Sequence, residues 1–130
     1  MVFCDILCSQ ILKKSIARIR PCHILDNIHM LGGCSSSFSM PSNHAANTFC
    51  AITVICFLYP KATILLLPAG LVLAISRVYM GVHYPSDVFA GMMVGIVCGS
   101  AALYLKGSIE KRWQVLKVEV KVNKKNIDKE

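Results

Sequence analysis

Formal charge is scarce in this chain, and negative charge scarcer still. Charged residues make up 16% of its 130 residues, against roughly 25% in an ordinary soluble domain. Hydrophobic residues make up 55%. Such a composition excludes a disordered chain and argues against a water-soluble globule. The shortage is also localised. No Asp, Glu, Lys or Arg stands between Asp26 and Lys61, and from Ala62 to Leu105 the formal charges are Arg77 and Asp87 alone. A membrane-spanning helix needs about 20 mostly apolar residues, and several stretches here supply them. In residues 1–105 the acids are only Asp5, Asp26 and Asp87. Magnesium and two-metal centres need several carboxylates, so any electrostatic work on an anion falls to fixed cations instead.

Cysteine is present but unpaired in pattern. The seven cysteines include no CxxC pair and give no disulfide framework. Cys50, Cys56 and Cys98 sit in apolar runs, where a thiol behaves as a small hydrophobe. Cys22, His23, His29 and Cys34 lie near one another, but their spacing fits no usual zinc pattern, and no metal is expected. The net charge of +7 resides mainly at the C-terminal end, where residues 106–130 carry eight basic and four acidic groups. A basic excess can signal nucleic acid. After an apolar domain it reads better as a cytoplasmic, membrane-flanking tail obeying the positive-inside tendency, and no nucleic-acid partner is expected.

The expected fold is all-α, a multi-pass transmembrane bundle of three full helices and an N-terminal stub. Met1–Leu12 is apolar but short, and Lys13 and Lys14 follow it rather than precede it, which makes a poor signal peptide. It reads as the last turns of a membrane helix that begins elsewhere. A loop covers Pro21–Met40. Helices are expected over about 43–59, 62–79 and 87–105, the first with Ser42 as N-cap and the second with a kink at Pro68. Residues 1–105 form the membrane domain. Residues 106–130 are a flexible tail, weakly strand-like over Val115–Val122. Gly91, Gly95 and Gly99 form overlapping GxxxG steps that would let another helix approach closely.

Three polar clusters interrupt the apolar chain: Lys13 with Arg20-Pro21; Pro41-Ser42-Asn43-His44; and Ser76-Arg77 with His83 and Asp87. Ionisable groups at membrane depth or at helix ends invite a functional reading. A helical hairpin between the second and third clusters brings both to one membrane face, and the first precedes them directly. The assembled site holds three cations, two imidazoles, one carboxylate and a helix N-terminus. Lys13, Arg20 and Arg77 suit a multiply charged anion, and the free N–H groups after Ser42 suit the same ligand. Asp87, four residues after His83, can hold one ring N–H and leave the other nitrogen as base or nucleophile. His44 remains to protonate a leaving oxygen.

These clusters resemble the three-part signature of the type 2 phosphatidic acid phosphatase family, which shares its site design with vanadium haloperoxidases. That pattern is Lys-x6-Arg-Pro, Pro-Ser-Gly-His and Ser-Arg-x5-His-x3-Asp; Asn43 stands here in place of the glycine. The resemblance covers about Lys13–Leu105 and looks like the C-terminal half of that fold, as a truncated or split gene product would. It implies a phosphatase acting without metal or cofactor on a bilayer lipid phosphate or diphosphate, of the undecaprenyl diphosphate or phosphatidate type. By the same resemblance His83 would be the nucleophile, Asp87 its orienting partner and His44 the acid and base. Lys13, Arg20, Ser42, Asn43 and Arg77 would bind the phosphoryl oxygens. The third cluster reads as bacterial, and the tail implies a site facing outward across the cell membrane. The alternatives are an inactive membrane fragment of such an enzyme and a vanadate-dependent haloperoxidase.

Overall fold

The computed structural model describes residues 2–24 and 33–127, with side chains over 4–24 and 33–114. His29 and much of the expected 21–40 loop lie outside the described residues. The described chain is helical, with no strand among the described residues. It divides into two units, Met1–Ser100 and Ala101–Glu130.

In the first unit, a helical run starts as α1 (Val2–Ile6), passes through a π-helical stretch (Leu7–Leu12) and ends as α2 (Lys13–Ile16). Ala17 stops it in the left-handed region at φ 48°, its N–H bonding back to the Lys13 carbonyl. The chain then leaves in an extended conformation at Arg20, before Pro21. Two longer helices follow, α3 (Asn43–Leu58) and α4 (Thr63–Tyr79), joined through Tyr59 and a short 3-10 turn, Pro60–Ala62. Pro68 lies inside α4 without ending it. Gly81, at φ 67°, turns the chain after α4, and Pro85 at the first helical position opens α5 (Pro85–Ile127).

α3 is the element against which the others pack. On one side α5 lays its glycine stripe along it. A Cβ added at Gly91 would lie 2.5 Å from the Ser42 carbonyl oxygen, and one at Gly95 would collide with that of Ala46. Gly99 faces Thr53 and the Cys50 carbonyl. The helix that the GxxxG spacing admits is thus α3 of the same chain. A core of Cys4, Cys8, Ala46, Cys50 and Cys98 joins the N-terminal helical run to α3 and α5. A second core, Ala45, Phe49, Ala74 and Val88, joins α3 to α4 and to the start of α5.

The outward faces are apolar. Ile64, Leu65, Val72 and Ile75 on α4 are 65–84% exposed, an arrangement that fits lipid rather than water. Pro60–Tyr79 and Pro85–Gln114, of 20 and 30 residues, are long and apolar enough to cross a membrane. The molecule is an all-α transmembrane bundle. α3, with 16 residues, is shorter than the ~20-residue requirement for a full span.

α5 does not stop near Leu105. Its backbone continues as helix to Ile127, through the stretch that the sequence reads as a weakly strand-like tail. The second unit is this continuation. The residues after Gly107 include good helix formers (Lys, Glu, Arg, Gln, Leu) and no proline. The alternation of Val with Lys and Glu is not a sheet signal when no partner strand exists to bond it. Within this unit Lys106 pairs with Glu110 one turn on, at 3.8 Å.

Candidate active site

The backbone makes the site by docking helix ends together. The Ser42 N–H donates to the Asp87 carbonyl at 3.0 Å, which pins the start of α3 to the start of α5. The Ser39 N–H donates to the Arg18 carbonyl at 2.7 Å, which brings the segment after α2 alongside. The α3–α4 hairpin returns Arg77 to the level of His44. A cavity of about 310 Å³ results, lined by Lys13, Arg20, Gly33, Ser35, Ser37, Asn43, His44, Arg77, Met80, Val82 and His83. All three polar clusters contribute, and both imidazoles reach one space.

No carboxylate is among the described residues that line the cavity. Lys13 and Arg20 are buried, at 7% and 6% exposure. The Nε of Arg77 is buried without a hydrogen-bond partner among the described residues. A buried donor costs about 1–3 kcal/mol when unpaired, so this N–H is suited to a ligand oxygen. The lining cations suit an oxyanion with several negative oxygens.

His83 is held at both ring nitrogens. Arg20 Nη1 donates to Nε2 at 3.3 Å. On the other side Nδ1 lies 3.5 Å from Ser39 Oγ and 3.7 Å from Asp87 Oδ2. The direct His83–Asp87 hydrogen bond expected from the four-residue spacing is too long to form. Ser39 bridges the gap: its hydroxyl donates to Asp87 Oδ2 and lies within reach of the ring N–H. This network assigns the proton to Nδ1 and leaves Nε2 unprotonated, its lone pair accepting from Arg20. Burial, and next the Arg20 guanidinium, push the His83 imidazole down to about 4, so the ring is neutral near pH 7.

Asp87 is fully buried and saturated. Its Oδ1 accepts from Arg18 Nη1 at 2.8 Å, and its Oδ2 accepts from Ser39 and from the Tyr84 N–H at 2.8 Å. It lies behind His83 rather than on the cavity wall. Arg18 also donates to Ser86 Oγ at 2.7 Å and lies over the Tyr84 ring, 3.9 Å from its centroid. Arg20 uses Nε and Nη2 on Ser37 (2.7 and 2.8 Å) and Nη1 on both the Val82 carbonyl (3.1 Å) and His83. Four of its five N–H donors are thereby engaged, and the fifth has no partner among the described residues.

Sequence reading missed Arg18, Ser37 and Ser39. Arg18 lies two residues before Arg20 and is the only further basic residue in that segment beyond Lys14, a faint signal. No feature of the sequence marks Ser39 among its neighbouring serines. Ser42 departs from expectation. It occupies the N-cap position of α3 but its side chain makes no capping bond. Its Oγ is buried without a partner among the described residues and is not on the cavity wall. Asn43 does line the cavity, and its side-chain amide donates to Asp5 at 2.9 Å, as does that of Asn47 at 3.2 Å. Cys22 and Cys34 are joined as a disulfide, against the expectation of none. The two cysteines stand 12 positions apart, a separation that carries no pairing signal by itself.

The sequence matches the family model of the PAP2 superfamily over residues 1–110. It is 30% identical over 121 residues to a lipid A 4'-phosphatase of Bacteroides thetaiotaomicron, covering 88% of this chain and 54% of that protein. It is 31% identical over 115 residues to an undecaprenyl-diphosphatase of Sulfolobus acidocaldarius, covering 86% and 56%. Among solved structures, a transmembrane PAP2-type phosphatidylglycerolphosphate phosphatase of Bacillus subtilis superposes with a TM-score of 0.62 at 33% identity. That match covers 82% of this chain and 54% of the other. The chain thus spans about half the length of the curated relatives it matches.

Proposed function

The chain belongs to the PAP2 superfamily, and from that membership we propose that it hydrolyses a phosphate monoester or diphosphate carried on a membrane lipid. The observation that carries this reading is the cavity itself. Three cations and two imidazoles converge with no carboxylate among the described lining residues, and the Arg77 Nε–H is buried without a partner among the described residues. Relatives named for lipid A phosphate and undecaprenyl diphosphate support the substrate class.

In this reading the phosphoryl oxygens lie among Lys13, Arg77, the fifth N–H of Arg20 and the backbone N–H groups at the start of α3. His83 Nε2 attacks phosphorus as Arg20 Nη1 releases that nitrogen for a phosphoryl oxygen, and a P–N bond forms as the P–O bond to the lipid breaks. His44 gives its proton to the departing oxygen. It then takes a proton from the water that cleaves the P–N bond, which frees inorganic phosphate and restores His83. Asp87, acting with Ser39 and Arg18, is a positioning residue that keeps the Nδ1 proton in place. Fixed cations supply the charge stabilisation that a metal supplies elsewhere. Ser42 positions the start of α3 through its backbone rather than binding phosphate through its hydroxyl.

The pH dependence follows from the ring. Protonated His83 cannot attack, and its folded pKa lies at about 4 rather than 6.5. The acid limb of kcat/KM is therefore expected near pH 4. The alkaline limb marks loss of the His44 proton. A pH–rate profile whose acid limb lies at an ordinary imidazole value contradicts the assignment. The same shift has a stability sign. The unfolded ring binds its proton at higher pH than the folded one, so stability falls as pH drops from about 6.5 toward about 4.

The site's proposed side is non-cytoplasmic. A disulfide persists in an oxidising compartment, and Cys22 and Cys34 flank the segments that build the cavity. Lys61, in the turn at the other end of α3 and α4, and the basic residues after Leu105 fit the cytoplasmic side. The experiment is phosphate release by the full chain from phosphatidate, lipid A and undecaprenyl diphosphate, with and without EDTA, in lysed membranes and from outside intact cells. Release that is EDTA-insensitive and equal in both preparations is expected. Release lost with EDTA, or seen only after lysis, contradicts the mechanism or the orientation respectively. Absence of release from every substrate leaves the alternative of an inactive membrane fragment.

A further inference from the structure

Outside the catalytic groups, the fold gathers one more set of ligating atoms. His23 Nε2 lies 3.3 Å from Cys34 Sγ and 3.2 Å from the Ser35 carbonyl oxygen. Cys34 is bonded to Cys22. The ligand atoms of Cys22, His23 and Cys34 all lie within 4.8 Å of one another, with both cysteines half-buried and His23 exposed. It is the only such group of three His, Cys or acidic side chains among the described residues. Linear spacing hides it, because two ligands are adjacent and the third stands 11 positions further on.

The donor set selects its cation. Two sulfurs and an imidazole suit zinc-class, borderline-soft divalent ions in a tetrahedral site with one position left for water. With no oxygen anion in the set, magnesium and calcium are disfavoured. The location is informative as well. Gly33 and Ser35, on either side of Cys34, line the phosphate cavity, and Ser37 holds Arg20 through two hydrogen bonds. Whatever joins residue 22 to residue 34 therefore braces the wall that positions Arg20.

We propose that Cys22, His23 and Cys34 form a redox-gated zinc-class metal site at the rim of the cavity. The disulfide is its closed state and the dithiol is its metal-binding state. A dithiol reductant opens it by thiol–disulfide exchange. One reductant sulfur attacks one cysteine sulfur, forming a mixed disulfide and freeing the other cysteine, and the second reductant sulfur then attacks the reductant's own sulfur in that mixed disulfide and frees the first cysteine. The reductant leaves as a disulfide, and its two electrons and two protons end on Cys22 and Cys34 as thiols. The cation then displaces both thiol protons and takes two thiolates and His23 Nε2, which gives up its hydrogen bond to the Ser35 carbonyl as the ring proton moves to Nδ1. Disulfide and metal are mutually exclusive uses of the same sulfurs, and each bridges the two segments that carry Arg20 and Ser37.

The test is zinc uptake by the full chain in detergent, before and after reduction, beside the Cys22→Ser/Cys34→Ser double variant. The other five cysteines are present in both proteins, so the difference isolates the site. Reduced wild type is expected to bind one zinc equivalent more than the reduced double variant, and the unreduced protein is expected to lack that equivalent. Cobalt(II) in the reduced wild type gives a thiolate charge-transfer band that the double variant lacks. His23→Ala weakens the extra equivalent by at least about tenfold, since losing even an outer-shell partner costs about that much. Equal zinc uptake by reduced wild type and double variant overturns the site. An extra equivalent that survives in the unreduced protein overturns the gating.

Discussion

His83→Ala releases phosphate from a lipid phosphate at least about a thousandfold more slowly than the wild-type chain. Loss of a covalent nucleophile removes the two-step route altogether, and what remains is the contribution of binding and fixed charge. The cavity cations are retained in this variant, so substrate still binds and the loss falls on kcat rather than KM. Because His83 is buried at 3% exposure, alanine also leaves a void, and His83→Gln serves as the control of similar size. Glutamine offers an amide at the place of Nε2 but no nucleophilic nitrogen. Both variants are expected to be equally inactive while His83→Gln keeps the wild-type melting temperature in detergent. A His83→Gln protein that is folded and turns over at the wild-type rate removes His83 from the chemistry.

Asp87→Asn is the second large loss, by a different route. The carboxylate accepts from Arg18, Ser39 and the Tyr84 N–H, and both of its oxygens are engaged. An amide in its place must aim its NH2 at a donor, whichever way it turns. With the NH2 on the Oδ2 side it opposes both Tyr84 N–H and the Ser39 hydroxyl. Ser39 then rotates to accept, and the Nδ1 proton of His83 loses its relay. With the NH2 on the Oδ1 side it faces the Arg18 cation. Replacing the buried aspartate of a comparable His–Asp pair costs roughly ten-thousandfold in kcat. Here Ser39 shares the task, and the expected loss is about a hundredfold to ten-thousandfold. Asp87 is not on the cavity wall, so KM changes little. A large rise in KM with kcat preserved contradicts the positioning role.

The legible part of the fold was the part written in local pattern. Proline and serine before Asn43, Tyr59-Pro60-Lys61, and the run from Gly81 to Asp87 mark the ends of α3, α4 and α5 directly. The Lys13, Arg20, His44, Arg77 and His83 constellation was legible for a related reason. Each residue is an expensive group beside an apolar run, and a hairpin is the only connection that α3 and α4 allow. Ser39, Arg18 and the Cys22–Cys34 pair were not legible, because their partners lie far off in sequence. Arg18 finds Asp87 across 69 positions and Ser39 finds it across 48. The glycine stripe was read correctly as a close-approach face, but pattern alone does not say whose backbone approaches. α5 beyond Leu105 was misread because alternating Val with Lys and Glu satisfies a strand template, and helix propensity decides when no sheet is available.

The central claim is a covalent phosphorus–nitrogen bond formed inside a pocket of fixed positive charge. The direct measurement is an alkaline quench of the full chain during turnover of a phosphate-labelled lipid, followed by peptide mapping. The account predicts label on His83 that is stable to alkali and lost in acid. The label is absent from His83→Gln. Turnover with no label on the protein, or with label on any residue other than His83, contradicts it.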